Sequence, residues 1–187
     1  RQASHDGLKR ARRMSRLLCE RGVTVVSGLA RGIDTAARTA ALEPGGRTIA
    51  VIGTEVLRCY PRENVALSEE IARNGAVVSQ FWPSASPATY TFPRRHVTMS
   101  GIAQGTVVIE AASTSGAKMQ ARLALEHGKR VFLLRGLTEA RPWAREYVAS
   151  RGAVMAEDVV AALADPERIH AVDRRRARLA LDFGPPA

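Results

Sequence analysis

Six short apolar runs, each followed by a turn and then a helix-patterned stretch, constrain this chain more than any other feature. They are VTVV opening residues 23–27, TIAVIG (48–53), AVVS (76–79), TVVIEA (106–111), RVFLL (130–134) and a short run at 153–155. Each is strand-sized and apolar at consecutive positions, so both faces of the strand must be covered. Between them lie helix-patterned segments at 6–21, 33–42, 63–75, 92–105, 117–127, 142–151 and 157–164. In the first, Leu8, Ala11, Met14, Leu17 and Leu18 recur at helical spacing, with Asp6 as the expected N-cap and Gly22 just past the end. Strand–helix alternation of this kind predicts an α/β chain. The expected form is a Rossmann-like, doubly wound, mostly parallel sheet of six strands with helices on both faces. No internal repeat appears.

Composition narrows the class. At 187 residues with 45% hydrophobic and 25% charged residues, the chain holds enough material for one packed domain and is not wholesale disordered. No apolar run approaches the roughly 20 residues of a membrane span. Cys19 and Cys59 set no disulfide framework, and the four dispersed histidines suggest no metal site, so a reduced, cytoplasmic protein without cofactor is expected. The chain begins at Arg1 and not at Met, which reads as a trimmed fragment. The net charge of +10 rests on 28 basic residues, and all but Lys9, Lys118 and Lys129 are arginines. Arginine forks suit phosphate, so a polyanion partner is one reading; arginine-rich codon usage is the other.

In open parallel sheets, ligands sit outside the carboxyl ends of the strands, so the loops after each strand are the candidate sites. After the first strand comes Ser27-Gly28-Leu29-Ala30-Arg31-Gly32. This is either an anion cradle of backbone N–H groups with Arg31 at its rim, or a tight turn small for packing reasons. After the second come Tyr60, Pro61, Arg62 and Asn64, either a stacking face between basic groups or a loop base on which Tyr60 packs. After the third, four of the nine aromatics (Phe81, Trp82, Tyr90, Phe92) precede Arg94, Arg95 and His96. Two arginines in a first helical turn oppose the helix dipole, a conflict that a bound anion relieves; a solvated basic face over core aromatics also fits. After the fourth strand, Ser115, Gly116 and Lys118 open a helix. Glu110 precedes them, as a candidate acid if the chain is an enzyme or as an ion-pair partner for a rim arginine. No GxSxG elbow, Walker loop, GxGxxG fingerprint or HExxH pair is present, so catalysis has little support.

Read in order, VTVVSGLARGIDTAA, RCYPREN, GAVVSQF, FPRRHVTMSG, GTVVIEA and SGAKMQARLALEHGKRVFLL resemble the DNA-processing protein A (DprA/Smf) family over roughly residues 7–164. The resemblance implies a LOG-like Rossmann core over 1–164, with a further strand expected before residue 1 and a basic tail or peripheral helix at 165–187. It implies a dimeric single-stranded DNA-binding protein. Such a protein would protect the strand and help load a RecA-type recombinase in transformation or recombination. Carried over by motif, phosphate would be held by Ser27, Gly28, Arg31, Gly32, Arg62, Asn64, Arg94, Arg95, Ser115, Gly116 and Lys118. Tyr60 and Phe92 would stack on bases, with Ser100 and Gly101 at the rim. The chain departs from the usual pattern at His96-Val97, at 117–120 and at 134–136, which marks a divergent branch. The alternative is a LOG-like protein that binds or processes a nucleotide, although the PGGxGTxxE motif of those phosphoribohydrolases is replaced here by ASTSGAK.

Overall fold

The computed structural model describes residues 3–85 and 88–157. The expected helix at 157–164 and the basic tail at 165–187 therefore fall outside the described residues, apart from Glu157. The elements run α1 (His5–Glu20), β1 (Val25–Ser27), α2 (Ile33–Leu42), β2 (Thr48–Val51), a 3-10 turn (Arg62–Asn64), α3 (Val65–Asn74) and β3 (Ala76–Val78). They continue through α4 (Thr91–Ile102), β4 (Gly105–Val108), α5 (Gly116–Glu126), β5 (Arg130–Leu134), α6 (Arg135–Ala140), α7 (Pro142–Ser150) and β6 (Val154–Ala156).

All strand pairs are parallel, as double-sided apolar runs require. Instead of one six-stranded sheet, the described strands form two ladders, in the orders β1-β2-β3 and β4-β5-β6. Each leaves an edge, β1 or β4, whose residues other than Ser27 and Val108 are only half-buried. Helix α1 links the two halves: it packs along α2, and its Ala11 joins Ile109, Phe132 and Leu134 in one apolar cluster. Separate clusters lie under α5–α7 around Val131, Leu133 and Trp143, and beside β2 around Leu29, Ile52 and Ile71.

Helix boundaries follow local chemistry. The N-cap of α1 is Ser4, whose Oγ accepts the Gly7 N–H at 2.9 Å, and not the expected Asp6, which lies in the first turn. Gly22 and Gly128 take positive φ (72° and 64°) just past α1 and α5, where the left-handed C′ position favours glycine. Helix α6 was not anticipated from the sequence: it starts directly after β5, at the Leu134-Arg135-Gly136 departure.

Candidate functional site

The loop after β1 is built around two inward side chains. Asp34 Oδ2 accepts the N–H groups of Gly28 (3.0 Å) and Ala30 (3.2 Å), so the chain's own carboxylate occupies that cradle. Leu29 sits at φ 60°, a left-handed conformation that costs a β-carbon-bearing residue about 1–2 kcal/mol. Its side chain is fully buried against Ile52 and Ile71. Burial of a leucine contributes about 1.5–3 kcal/mol, enough to offset the strain. Asn64 reaches across and donates to Leu29 O at 3.0 Å, tying this loop to the 3-10 turn. Asn64 is thereby buried and holds backbone, while Ser27 Oγ accepts Arg38 Nε at 2.6 Å beneath the loop.

Arg94 and Arg95 are adjacent in sequence and opposite in role. Arg95 is buried, and its Nη1 donates to Gly28 O at 2.7 Å. A β-carbon at Gly28 would lie 2.5 Å from the Arg95 Cζ, so glycine is what lets the guanidinium close on this loop. Arg94 is exposed, with its Cζ 5.9 Å from the Tyr90 ring centroid. Phe92 lies against Gly53, where a β-carbon would meet its Cδ1 at 2.8 Å. Its ring centroid is 5.7 Å from that of Tyr60 at a 59° tilt. Tyr60, which precedes a cis peptide bond to Pro61, remains 60% exposed. Phe92 is thus half-buried between Gly53 and Arg95, whose Cζ lies 5.9 Å from its ring centroid, and Tyr60 is the exposed member of the pair.

Arg31 and Arg62 complete the rim. Both are exposed, and Arg31 forms a two-pronged ion pair with Glu63 through Nε and Nη2. The hydrogen bond from Arg31 holds the Glu63 carboxyl below its ordinary range, and the same bond raises Arg31. The pair is solvent-exposed, so it adds little stability and a phosphate can compete for Arg31. Arg62 has no carboxylate partner among the described residues.

The loop after β4 joins less directly. Ser115 caps α5, accepting the Lys118 N–H. Gly116 is exposed at the helix start, and a β-carbon there would lie 2.9 Å from His96 Nε2. Lys118 turns toward α7, its Nζ 5.8 Å from the Trp143 ring centroid. Glu110 pairs with no rim arginine. It accepts both the backbone N–H and the hydroxyl of Ser4, and so anchors the start of α1. Among the described residues, no acidic, histidine or cysteine cluster has the arrangement of a metal site.

Three residues that matter here were not singled out from sequence: Arg38, Asp34 and Gly53. Arg38 is wholly buried, and its Nη2 donates to Ser27 O and, at 3.2 Å, to Ile49 O. Burial pushes Arg38 down to about 10, with Asp34 opposing and Arg95 adding to the fall. At neutral pH it remains a buried cation. The signal available was Asp34-to-Arg38 spacing on an alanine-rich helix, a pattern that ordinarily marks a surface pair.

His96 is buried and its Nδ1 lies 3.0 Å from Gln120 Oε1. Burial first, and Arg95 second, hold the imidazole below its ordinary 6.5. The unfolded chain therefore takes up a proton at a higher pH than the folded chain does. Stability from this group is complete above pH 6.5 and is lost as pH falls below it, by at most about 1.4 kcal/mol per pH unit. Melting temperatures measured between pH 7 and pH 5 should fall less for His96→Gln than for the wild type. Equal slopes would remove His96 from the acid response.

The profile of the DNA recombination-mediator protein A family matches residues 1–165. The chain belongs to that family. It is 46% identical over 129 residues to Protein Smf of Escherichia coli, covering 66% of this chain and 34% of the relative. It is 40% identical over 136 residues to DNA processing protein DprA of Streptococcus pneumoniae, covering 73% and 48%. The chain thus spans a third to a half of the length of these curated relatives. The solved S. pneumoniae DprA structure superposes with a TM-score of 0.72 at 33% identity, covering 87% of this chain and 58% of that one. The DprA structure from Helicobacter pylori, described for its single-stranded DNA binding mode, superposes at 0.75. At 22% identity, with 93% and 77% covered, that likeness speaks for the fold. The parallel α/β core expected from sequence is therefore a DprA/Smf core. No helix among the described residues is long and apolar enough to cross a membrane.

Proposed function

We propose that this chain is a single-stranded DNA-binding module, with residues 1–164 as its Rossmann-like domain. The observation that carries the reading is the exposed ring of Tyr60 beside half-buried Phe92, in segments that also carry exposed Arg62 and Arg94, with exposed Arg31 in the loop after β1. An unpaired base has two faces to offer an aromatic ring, whereas a duplex base keeps both stacked on its neighbours. The arginines supply forked donors to the flanking phosphates. Ser27, Asn64 and Arg95 act from beneath, positioning the loops; the α5 start at Ser115 and Gly116 borders the same face. Binding of this kind tolerates any base sequence and weakens steeply with salt. Membership of a recombination-mediator family supports the further reading that the bound strand is handed to a RecA-type recombinase in the cytoplasm, by a dimer of the protein.

The test is a salt titration of binding to a labelled oligonucleotide, single-stranded against duplex, with a nucleoside monophosphate as competitor. Preference for the single strand, a steep salt slope and no competition are expected. Abolition by the mononucleotide would reassign the site to a small-nucleotide pocket. In the same assay Tyr60→Ala should weaken single-strand binding by about 1–3 kcal/mol, some 5- to 150-fold, and leave the salt slope unchanged. A lowered slope with unchanged affinity at high salt would show that Tyr60 contributes no stacking.

A further inference from the structure

The loops at the carboxyl ends of the strands leave the most basic element among the described residues unused. Helix α1 carries Lys9, Arg10, Arg12, Arg13 and Arg16, all exposed, against only Asp6 and Glu20. Lys9, Arg12, Arg13 and Arg16 recur at i, i+3, i+4 and i+7 and so form one stripe, about 10 Å long at 1.5 Å per residue. Arg16 pairs with Glu43; among the described residues, Lys9, Arg10, Arg12 and Arg13 have no carboxylate partner. Like charges at these spacings destabilise a helix by a few tenths of a kcal/mol per pair. The helix is held by its opposite face, where Gly7, Ala11, Ser15 and Leu18 are buried.

The segment leading into α1 lies beside the site, and the stripe starts at Lys9, six residues further along the chain. Ala3, just before α1, lies 3.2 Å from where a β-carbon at Gly32 would stand, next to Arg31. At the other flank Arg10 approaches Gly136 of α6, its Nη1 3.4 Å from the corresponding point. Resting on the single-strand reading above, we infer that the α1 stripe is a second phosphate track, which takes up the backbone of a strand leaving the Arg31 rim. The occupant is a nucleic-acid backbone because forked arginines match phosphate and no aromatic accompanies them on this face. An anionic membrane fits less well: an interfacial helix buries its apolar face in lipid, and here that face is spent on α2 and the core.

The experiment compares oligothymidylates of about 6 and about 30 nucleotides, one within and one beyond a single site size, binding to the wild type and to Lys9→Ala/Arg12→Ala/Arg13→Ala. Alanine keeps the helix, which circular dichroism checks; Arg12→Gln/Arg13→Gln serves as the second, milder variant. Each single-strand phosphate contact contributes about 0.7 to the salt slope. The triple variant should therefore lose about 2 from the slope with the long oligonucleotide, and up to about 100-fold in affinity near 0.1 M salt. The short oligonucleotide should bind as before. An unchanged long-strand slope overturns the inference, as does an equal loss with both lengths. Loss of binding to phosphatidylserine vesicles with the long-strand slope retained overturns it in favour of a membrane. Failure of the underlying reading looks different: the short oligonucleotide would then bind Arg31→Ala/Arg62→Ala/Arg94→Ala as tightly as the wild type.

Discussion

Replacing Arg31, Arg62 and Arg94 together by alanine is expected to cut single-strand affinity up to about 100-fold near 0.1 M salt and to lower the salt slope by about 2. The melting temperature should stay within a degree or two of the wild type. All three side chains lie on the rim, and none is buried. Arg31 gives up only a solvent-exposed pair with Glu63, and Arg94 only a surface contact with Tyr90; both are worth little to folding. The loss should be similar for every base sequence, because phosphate contacts carry no sequence information. Fluorescence anisotropy across a salt series, with thermal denaturation in parallel, reads both quantities. A fall in affinity with the slope intact would place the arginines outside the phosphate path. A fall confined to one base sequence would make them base readers.

The family's FPRR segment marks the point where sequence reading reached its limit. Residues 92–95 read as a helix start carrying a basic rim; the helix start is found, but of the two arginines only Arg94 is exposed, and Arg95 is buried. Successive helical residues point about 100° apart, and the string of letters does not carry which of the two arginines turns inward. Arg94 consequently faces solvent, while Arg95 closes on Gly28 O. The same limit applies to Gly28, whose neighbours suggested a phosphate cradle. Asp34, two residues into the next helix, folds back to take the N–H groups. Periodic features read well: α1 was expected at 6–21 and runs His5–Glu20, and β5 was expected and found at 130–134. Features decided by long-range pairing did not. Glu110 meets Ser4, a hundred residues away in sequence, and the six strands divide into two ladders. A side chain's partner across the fold leaves no periodic trace.

Arg38 provides the second large effect, and its sign has to be argued because two costs compete. The cation is wholly buried with Nη1 unpartnered among the described residues, and burial lowers its affinity for the proton. Removing the charge alone would relieve that cost. Removing the whole side chain would do more. It would empty the space between α2 and the carboxyl end of β1, and strip Ser27 Oγ, Ser27 O and Ile49 O of a donor. Buried acceptors left without partners cost about 1–3 kcal/mol each, and a large cavity adds to this. Arg38→Ala should therefore destabilise the fold by about 3–5 kcal/mol, or roughly 10 °C in melting temperature for a chain of this size. Arg38→Met loses the same hydrogen bonds but keeps most of the volume and discards the buried charge, so it should cost less than Arg38→Ala by the cavity contribution. Thermal denaturation of the two variants separates the terms. Equal losses would assign the effect to the hydrogen bonds alone. A stable Arg38→Ala would show that Ser27 and the loop it precedes hold their positions without the buried guanidinium. Without the Arg38 network beneath Ser27, the rim arginines should lose their spacing before the molecule unfolds. Single-strand binding by Arg38→Ala should then weaken at temperatures where its far-ultraviolet circular dichroism is still native.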